Sequence, residues 1–252
     1  VLGNFVHNVM EAFYNKVVEQ KRSSIIEAKD LEKRENLIQA LLDQEVIKTY
    51  NLDPNEPVVY EGQLILVSEV VKSFIGKILK HDKKHTPFTL EGVEQNMEYA
   101  FSINAPVGSV LLGGKIDRVD RKDSLLRIVD YKTGRDKLEF DSIASLYTRD
   151  GKRNKAAFQT LIYAWLYTKA KSTTDLSVIP GLLNGKNLFD EDMEFGLKMG
   201  KQVLNDVHTV LPEFEVRLKE LLEELFNPET VFDQTSEIKN CEYCPYKRIC
   251  YR

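Results

Sequence analysis

The sequence predicts an α/β protein with a small central mixed sheet flanked by helices, with helical additions and a cysteine-rich C-terminal tail. Two neighbouring segments, Val110–Val119 and Leu125–Lys132, are rich in Val, Ile and Leu, and the turn residues Asp120–Ser124 separate them. This pattern is typical of a β-hairpin. Segments with apolar residues at helical spacing lie on both sides of the hairpin. With 252 residues, the chain is long enough to bury a substantial core.

The N-terminal third is predicted to be mainly helical. Apolar residues three or four positions apart give the first twenty residues one buried stripe, which consists of Leu2, Val6, Val9, Phe13 and Val17. More helix is expected over Ser23–Tyr50, followed by a loop over Asn51–Pro57. The next segments are predicted to be a short strand, a helix and another strand, over Gln63–Val67, Glu69–His81 and Phe88–Ile103.

The C-terminal half is predicted to alternate helices with loops. A helix is expected over Asn154–Ala170, and a loop rich in Gly, Asn and Pro continues to Asn187. Met193–Phe226 is predicted to be largely helical. The sequence therefore divides into a main domain, residues 1–226, and a cysteine-bearing tail, residues 227–252.

Composition favours a folded globular protein over a disordered or membrane-spanning one. Hydrophobic residues at 42% and charged residues at 29% are typical of a folded globular protein rather than a disordered one. No apolar run approaches the roughly 18–20 residues of a bilayer-spanning helix, and the first residues do not resemble a signal peptide. We therefore expect a soluble, cytoplasmic protein. Because the chain begins with Val1, we expect it to be a fragment.

The net charge of −4 conceals an uneven distribution. Residues 115–137 contain eight Lys or Arg and five Asp, and residues 147–171 contain six Lys or Arg and one Asp. These local excesses of +3 and +5 leave −12 for the rest of the chain. A basic sector on an acidic protein is typical of a site for a polyanion such as nucleic acid. Such runs are also common on solvated surfaces.

Two acids and a lysine are predicted to meet at one end of the hairpin. Side chains alternate along a strand, so Asp130 and Lys132 project from one face, and Asp117 on the preceding strand lies close to Asp130. Two carboxylates can hold Mg²⁺ beside a phosphate, and a lysine can orient water or neutralise charge developing on phosphorus. The alternative is that both acids form ordinary surface ion pairs with Arg118 and Lys132.

Five segments of the chain resemble the motifs of one family. They are GNFVH at residues 3–7, GKIDRVD at 114–120, IVDYKTG at 128–134, QTLIY at 159–163 and the spacing C-x₂-C-x₅-C at 241–250. In this order they resemble the PD-(D/E)XK nuclease superfamily, and more specifically RecB- and AddB-type nuclease domains and the related CRISPR-associated exonucleases. The resemblance implies a restriction-endonuclease-like core and a DNA nuclease of recombinational repair, which we expect to be an exonuclease.

The resemblance also implies roles for individual residues. The implied catalytic residues are Asp117, Asp130 and Lys132, with Mg²⁺ or Mn²⁺ as cofactor. The implied metal ligands are His7, Asp117, Asp130 and the backbone carbonyl of Tyr131. Glu94 matches an acidic position that the family often places before the hairpin, and Glu91 and Glu98 compete with it for that role.

DNA is the expected substrate, as a single strand or a duplex end. Gln159 and Tyr163 lie four residues apart on one face of the predicted helix, and the resemblance implies that they position the DNA strand and Lys132. Phosphate contacts are expected from Arg118, Lys152, Arg153 and Lys155. The sequence has no G-x-x-x-x-G-K-[ST] motor motif, so a helicase region or subunit is the expected partner.

Two other classes of function compete with the nuclease. A catalytically inactive DNA-binding module of the same fold would have a damaged acid–acid–lysine set, and the set is complete here. A zinc-stabilised protein-interaction domain would leave the hairpin motif unexplained.

The three cysteines, Cys241, Cys244 and Cys250, all lie in the last twelve residues. Their spacing suits zinc or an iron–sulfur cluster better than a disulfide framework. The resemblance implies a [4Fe–4S] cluster whose fourth cysteine lies upstream of Val1. We therefore expect the cluster in the complete protein and not in this fragment.

Overall fold

The computed structural model describes residues 2–149, 153–185, 187–190, 193–231 and 233–252. Its α-helices are α1 (Leu2–Lys21), α2 (Glu35–Tyr50), α3 (Gln63–His85), α4 (Lys155–Ala170) and α5 (Leu211–Leu225). Short 3₁₀ turns cover Ala28–Leu31, Ala144–Tyr147, Val207–Thr209 and Ile238–Cys241. No helix in this part of the chain is both long and apolar enough to span a bilayer.

The central sheet has five strands in the order β1-β2-β3-β4-β6. They are β1 (Ile25–Ile26), β2 (Phe88–Ser102), β3 (Ser109–Lys122), β4 (Leu125–Lys132) and β6 (Ser177–Asn184). The first four are antiparallel to their neighbours, whereas β6 lies parallel to β4, and α4 lies in the crossover that joins these two. A second, small sheet is formed by β5 (Glu139–Phe140), β7 (Lys198–Met199) and β8 (Gln202–Val203). The predicted α/β fold with a mixed sheet is confirmed.

Helices cover both faces of the central sheet, so the protein has two apolar cores. Leu126 and Ile128 of β4 pack on the face covered by α4 and α5, around Trp165. Val129 and Tyr131 of the same strand pack on the opposite face, covered by α1, α2 and α3. The alternation predicted for β4 is therefore confirmed, and it leaves Asp130 on the α4 side.

The short strand predicted over Gln63–Val67 is wrong, because these residues form the first turns of α3. The apolar run suggested a strand, but its buried positions continue at helical spacing. Leu64 and Val67 pack against the same core as Val71 and Phe74. Helix is likewise absent from the first part of Ser23–Tyr50, which holds β1 and a 3₁₀ turn before α2 begins.

The loop predicted to run to Asn187 contains β6, an edge strand that the sequence prediction missed. Pro180 and Gly181 in its centre suggested a loop, yet proline is tolerated on an edge strand. Most of β6 is buried on both faces, as expected for a parallel strand, so the alternating pattern is missing. The Leu182 N–H donates to the Phe195 carbonyl, and the Leu197 N–H donates to the Pro180 carbonyl, so the 195–197 segment covers the outer edge of β6.

The prediction that Met193–Phe226 is largely helical is wrong for its first half. Residues before α5 contain β7 and β8 around a turn at Gly200, whose φ of +61° favours glycine. The tail after α5 is mostly exposed. The domain division at residue 226 stays a prediction.

Candidate active site and metal centre

Three carboxylates lie in one row across β2, β3 and β4. In the register of β2 and β3, Val93 pairs with Arg118 and Gln95 with Ile116, so Glu94 falls opposite Asp117. Between β3 and β4 the last pair is Arg118 with Val129, and the next position in that register brings Asp117 opposite Asp130. Sheet pairing thus gathers acids from distant positions of the chain into one site.

His7 of α1 reaches this row from the other side. Its neighbours Phe5, Val6 and Val9 are buried, which fixes α1 on the sheet and places His7 at the rim of the core. Its Nδ1 lies 3.2 Å from Oε1 of Glu94 and 3.4 Å from Oδ1 of Asp117. Donor atoms of these three residues all lie within 4.8 Å of one another, and no other group of three or more acid, His or Cys residues in the described part of the chain comes this close.

The backbone of Tyr131 joins the same cluster. Its N–H donates to Oδ2 of Asp117 at 2.7 Å, and its carbonyl oxygen lies 3.0 Å from Nε2 of His7. Its ring points into the core covered by α1, α2 and α3, where the hydroxyl accepts a hydrogen bond from Nη1 of Arg118 at 2.9 Å. The buried side chain therefore anchors a backbone segment whose polar groups face the acids.

Asp130 and Lys132 form an ion pair beside this cluster. The Lys132 ammonium lies 2.9 Å from Oδ1 and 2.8 Å from Oδ2 of Asp130. The Asp130 side chain is 1% exposed and that of Lys132 is 22% exposed, so the acid is buried while the amine remains in contact with solvent. The arrangement places the amine next to the acids, where the sequence predicted it.

The neighbouring carboxylates and burial shift the pKa values of groups in the site. Burial, together with the negative charge of Asp117, raises the pKa of Asp130 to about 7, although Lys132 acts in the opposite sense. Burial opposes the charged form of His7, but hydrogen bonds and charge from Asp117 and Glu94 outweigh it and raise its pKa to about 10. Protonated His7 thus lies between two carboxylates, where positive charge is most stabilised.

The donor set of this cluster fits a hard divalent cation. Carboxylate and carbonyl oxygens suit Mg²⁺ and Mn²⁺, and the His7 imidazole can add one nitrogen ligand. A cation would take the place of the proton on His7, because ligands bind metals in their deprotonated forms. The residues present therefore fit the cofactor that the sequence implied.

Comparison with known proteins decides the family. The family model of the PD-(D/E)XK nuclease superfamily matches residues 1–251. The chain belongs to the PD-(D/E)XK nuclease superfamily. The resemblance seen in the sequence motifs is thereby confirmed.

Curated relatives of this superfamily member point to one type of protein. The chain is 24% identical over 195 residues to an ATP-dependent helicase/deoxyribonuclease subunit from each of three Clostridium perfringens strains. The match covers 72% of this chain and 16% of the relative, so the chain spans a small part of that protein's length. The similarity supports a nuclease of the RecB and AddB type.

Gln159 and Tyr163 lie on the α4 side of the site. Nε2 of Gln159 donates to the Tyr163 hydroxyl at 2.7 Å. Burial raises the pKa of Tyr163 to about 12, and negative charge from Asp130 and Asp117 acts in the same direction. Gly114 lies beneath the ring, since a Cβ atom there would come 2.8 Å from Cε1 of Tyr163. The glycine of the hairpin motif thus allows the tyrosine to approach the sheet.

The prediction that Arg118 contacts DNA phosphate is wrong. Its side chain is fully buried and donates to both carboxylate oxygens of Asp82, at 2.6 and 2.7 Å. Arg118 also lies 3.1 Å from Asp120, which forms a bidentate pair with Arg127. These four residues form a buried charge network on the α3 side of the sheet. No phosphate can reach Arg118 there.

Asp82 was missed by the sequence prediction, although a signal for it exists. It continues the buried stripe of α3 formed by Val71, Ile75 and Ile78, with spacings of four and three residues. A single acid on an apolar stripe indicates a buried ion pair.

The remaining predicted residues lie at the surface or outside the described residues. Arg153 and Lys155 are exposed at the start of α4, where the Asn154 side chain caps the helix. Lys152 lies outside the described residues. Cys241, Cys244 and Cys250 are free thiols in the exposed tail, each partly buried. Roles for these residues in binding DNA or a cluster stay predictions.

Proposed function

We propose that this chain is a metal-dependent DNA nuclease domain that hydrolyses phosphodiester bonds with Mg²⁺ or Mn²⁺. One observation carries the proposal: the row of Glu94, Asp117 and Asp130, with His7 on one side and Lys132 on the other. Membership of the nuclease superfamily supports it.

The residues of the site divide the chemical work. We assign the metal to Asp117, Asp130, His7, Glu94 and the carbonyl of Tyr131. A divalent ion there would polarise the phosphoryl oxygen and lower the pKa of a bound water. Because the metal supplies this activation, we expect cleavage to depend on a divalent ion.

We assign two tasks to Lys132: it orients the attacking water, and it stabilises the negative charge that develops on the phosphoryl group. Its ammonium is held by Asp130 at one end of the acid row and remains partly exposed. A fixed positive charge in a partly buried site stabilises developing negative charge more than a solvated one does.

We assign to Gln159 and Tyr163 the positioning of the DNA strand on the α4 side. Their mutual hydrogen bond fixes the phenol near the acids, so its ring can support a base or sugar beside the scissile phosphate. We assign Arg153 and Lys155, with Lys152 beside them in the sequence, to salt-sensitive contacts with phosphates farther along the strand.

We further infer that the domain acts as an exonuclease in recombinational DNA repair, as part of a longer protein. The name of the Clostridium perfringens relative, a helicase/deoxyribonuclease subunit, supports a helicase region or subunit as partner. We infer that the protein is cytoplasmic, in keeping with a role in DNA repair. The three cysteines are assigned to a [4Fe–4S] cluster of the complete protein, which requires a fourth ligand.

Cleavage of end-labelled DNA tests the proposal. Single-stranded and duplex oligonucleotides are incubated with Mg²⁺, with Mn²⁺ and with EDTA, and products are separated by size. We expect metal-dependent cleavage with release of short products from an end. Equal products in EDTA would contradict the metal assignment, and internal cuts in circular DNA would contradict the exonuclease mode.

A further inference from the structure

Lys115 lies on the solvent side of the acid row and has no role among the functions assigned above. It is on β3, two residues before Asp117, and its ammonium lies 2.8 Å from Oε2 of Glu94. Its side chain is 50% exposed, against 25% for His7 and 22% for Lys132. Of the three cations that contact the acids, Lys115 is therefore the most accessible to an approaching substrate.

The two oxygens of Glu94 have different partners. Oε1 lies 3.2 Å from Nδ1 of His7, inside the cluster, whereas Oε2 faces the Lys115 ammonium. Lys115 must share Glu94 with any cation that this carboxylate binds, and two positive charges at one carboxylate repel each other. Glu94 therefore holds the ammonium less tightly when the site carries a metal, and Lys115 becomes available to another anion.

Two further acids act on Lys115 without pairing with it. The hydrogen bond from Glu94 raises the pKa of the Lys115 ammonium, partial burial opposes it, and charge from Glu11 and Asp117 raises the pKa further. Asp117 is assigned to the metal. Glu11, one turn after His7 on α1, forms no ion pair with Lys115 in the described part of the chain. Glu11 is thus a rival for the released ammonium, and it has to be tested.

Lys115 and Lys132 lie at opposite ends of the acid row. Lys115 contacts Glu94 on β2, and Lys132 contacts Asp130 on β4. These two acids are two strand spacings apart, or about 10 Å. One strand of DNA carries a phosphate about every 3.4 Å along a duplex axis, so the two amines match different phosphates better than a single one.

We propose that Lys115 binds a phosphate next to the scissile one when the metal centre is occupied. The inference rests on the proposed function, because it concerns the same substrate and the same metal. Lys132 acts on the scissile phosphate at the β4 end of the row, and Lys115 holds its neighbour at the β2 end. In the metal-free protein the same amine compensates Glu94.

DNA binding with and without a divalent ion tests this assignment. A labelled oligothymidylate is titrated with the wild type and with Lys115→Gln, in EDTA and in Ca²⁺, which also takes oxygen ligands. Gel electrophoresis verifies that the DNA stays intact. In Ca²⁺ the variant should lose one phosphate contact, so its log–log salt slope falls by about 0.7 and its affinity about fivefold in about 0.1 M salt. In EDTA the slope should stay at the wild-type value. An equal fall in both conditions, or no fall in Ca²⁺, overturns the proposal.

Lys16→Gln is the matched control. Lys16 is 45% exposed and pairs with Glu19 at 2.7 Å, so its exposure and its ion pair resemble those of Lys115. It lies nine residues after His7 on α1, or about 13 Å along the helix. Its effect on the slope should be the same in Ca²⁺ and in EDTA. A selective fall in Ca²⁺ for this control would overturn the assignment to Lys115.

Three more variants separate charge, stability and the rival acid. Lys115→Arg keeps the positive charge and should restore the wild-type slope in Ca²⁺, whereas a slope like that of Lys115→Gln contradicts a phosphate contact. Lys115→Met keeps the aliphatic stem and replaces Lys115→Gln if the latter melts at a lower temperature. Glu11→Gln should bind DNA in Ca²⁺ at least as tightly as the wild type, because the phosphate loses a competitor for the ammonium. Weaker binding by this variant counts against the proposal.

Metal affinity in the absence of DNA gives a second readout. Binding of Mn²⁺ is followed by electron paramagnetic resonance. Because the ammonium competes with the cation for Glu94, Lys115→Gln should bind Mn²⁺ several-fold more tightly than the wild type, although it binds DNA more weakly. A lysine that only supported the structure of the site would lose metal affinity on replacement, and that result would refute the role in phosphate binding.

Cleavage separates failure of this inference from failure of the nuclease proposal. In Mg²⁺, Lys115→Gln should raise KM for DNA more than it lowers kcat, in contrast to Lys132→Ala, which should abolish cleavage. A wild-type chain that cleaves no DNA refutes the nuclease, while the Ca²⁺ titrations still decide the role of Lys115. Normal wild-type cleavage with an unchanged slope for Lys115→Gln refutes Lys115 alone, as does a wild type that binds no DNA in Ca²⁺.

Discussion

Strands β3 and β4 carry two clusters of charged residues with opposite properties. On the α3 side, Asp82 and Asp120 face Arg118 and Arg127, so acids and guanidinium groups are equal in number and fully buried. In the acid row, three carboxylates also face three cations, but these are His7 and two lysines instead of arginines, and the site opens to solvent at Lys132 and Lys115.

The direction of the pKa shifts separates the two clusters. Nearby arginines outweigh burial and hold the pKa values of Asp82 and Asp120 well below their usual range. Burial and a neighbouring acid instead raise the pKa of Asp130. The cluster on the α3 side, balanced by buried arginines, supports the fold, whereas the acid row depends on His7 and partly exposed lysines and so remains open to a further cation. Asp117 and Arg118, neighbouring residues of one motif, therefore contribute separately to function and to folding.

The largest expected effect is on catalysis, at the acid row. Asp130→Asn should reduce DNA cleavage by about a thousandfold or more, equivalent to about 4 kcal/mol of transition-state stabilisation. Its unfolding temperature should not fall, because a buried charge repelled by Asp117 is removed. Asp117→Ala and Lys132→Ala should also abolish cleavage. Asp123→Asn, in the exposed turn of the same hairpin, is the control and should retain full activity.

The next effect is on folding, at the balanced cluster. Asp82→Asn leaves two buried arginines, Arg118 and Arg127, to share the single acid Asp120, which should lower the free energy of unfolding by about 3–5 kcal/mol. Glu91→Gln breaks a partly exposed pair with Arg121 and should cost at most about 1 kcal/mol. Urea denaturation measures both. A stable Asp82→Asn protein would remove the distinction between the two clusters.

A smaller effect is expected on the pH dependence of stability, through Asp130. Its folded pKa of about 7 lies above the roughly 3.9 of an unfolded Asp, so the native state binds the proton more tightly. The resulting stability is present below the unfolded pKa and is lost as pH rises through the folded pKa. In EDTA, the wild type should therefore lose stability relative to Asp130→Asn between about pH 4 and pH 8. Parallel curves would contradict the raised pKa.

The smallest effect is expected beside the row, on α4. Tyr163→Phe removes the hydroxyl that accepts from Gln159 but keeps the ring, so KM for DNA should rise several-fold while kcat changes little. Tyr167→Phe, one turn farther along the helix, is the control and should leave both constants unchanged. A fall of more than tenfold in kcat would instead place the hydroxyl at the reacting atoms.

Much of the site could be predicted from sequence, because its main residues follow local rules. Period-two alternation placed Asp130 and Lys132 on one face, and the hairpin brought Asp117 across from them. The same alternation would have placed Arg118 on the opposite, buried face from Asp117. The prediction of a phosphate contact for Arg118 relied on its charge and overlooked its position in the strand.

The roles that the sequence alone could not assign depend on the register between strands. Glu91, Glu94 and Glu98 could not be separated, because the shift in pairing between Leu90 and Gly92 decides which acid meets β3. Glu91 instead pairs with Arg121. Strand β6 was missed for a related reason, since a parallel edge strand that contains Pro180 has neither alternation nor typical composition.

The backbone conformation of Glu94 matters for attempts to raise the thermal stability of this protein. Its φ of +47° lies in the left-handed region, which costs a residue other than glycine about 1–2 kcal/mol. Screening for heat resistance alone should therefore enrich Gly or Asn at position 94 and discard the carboxylate. Selection for thermal stability and selection for catalytic activity would therefore favour different residues at position 94.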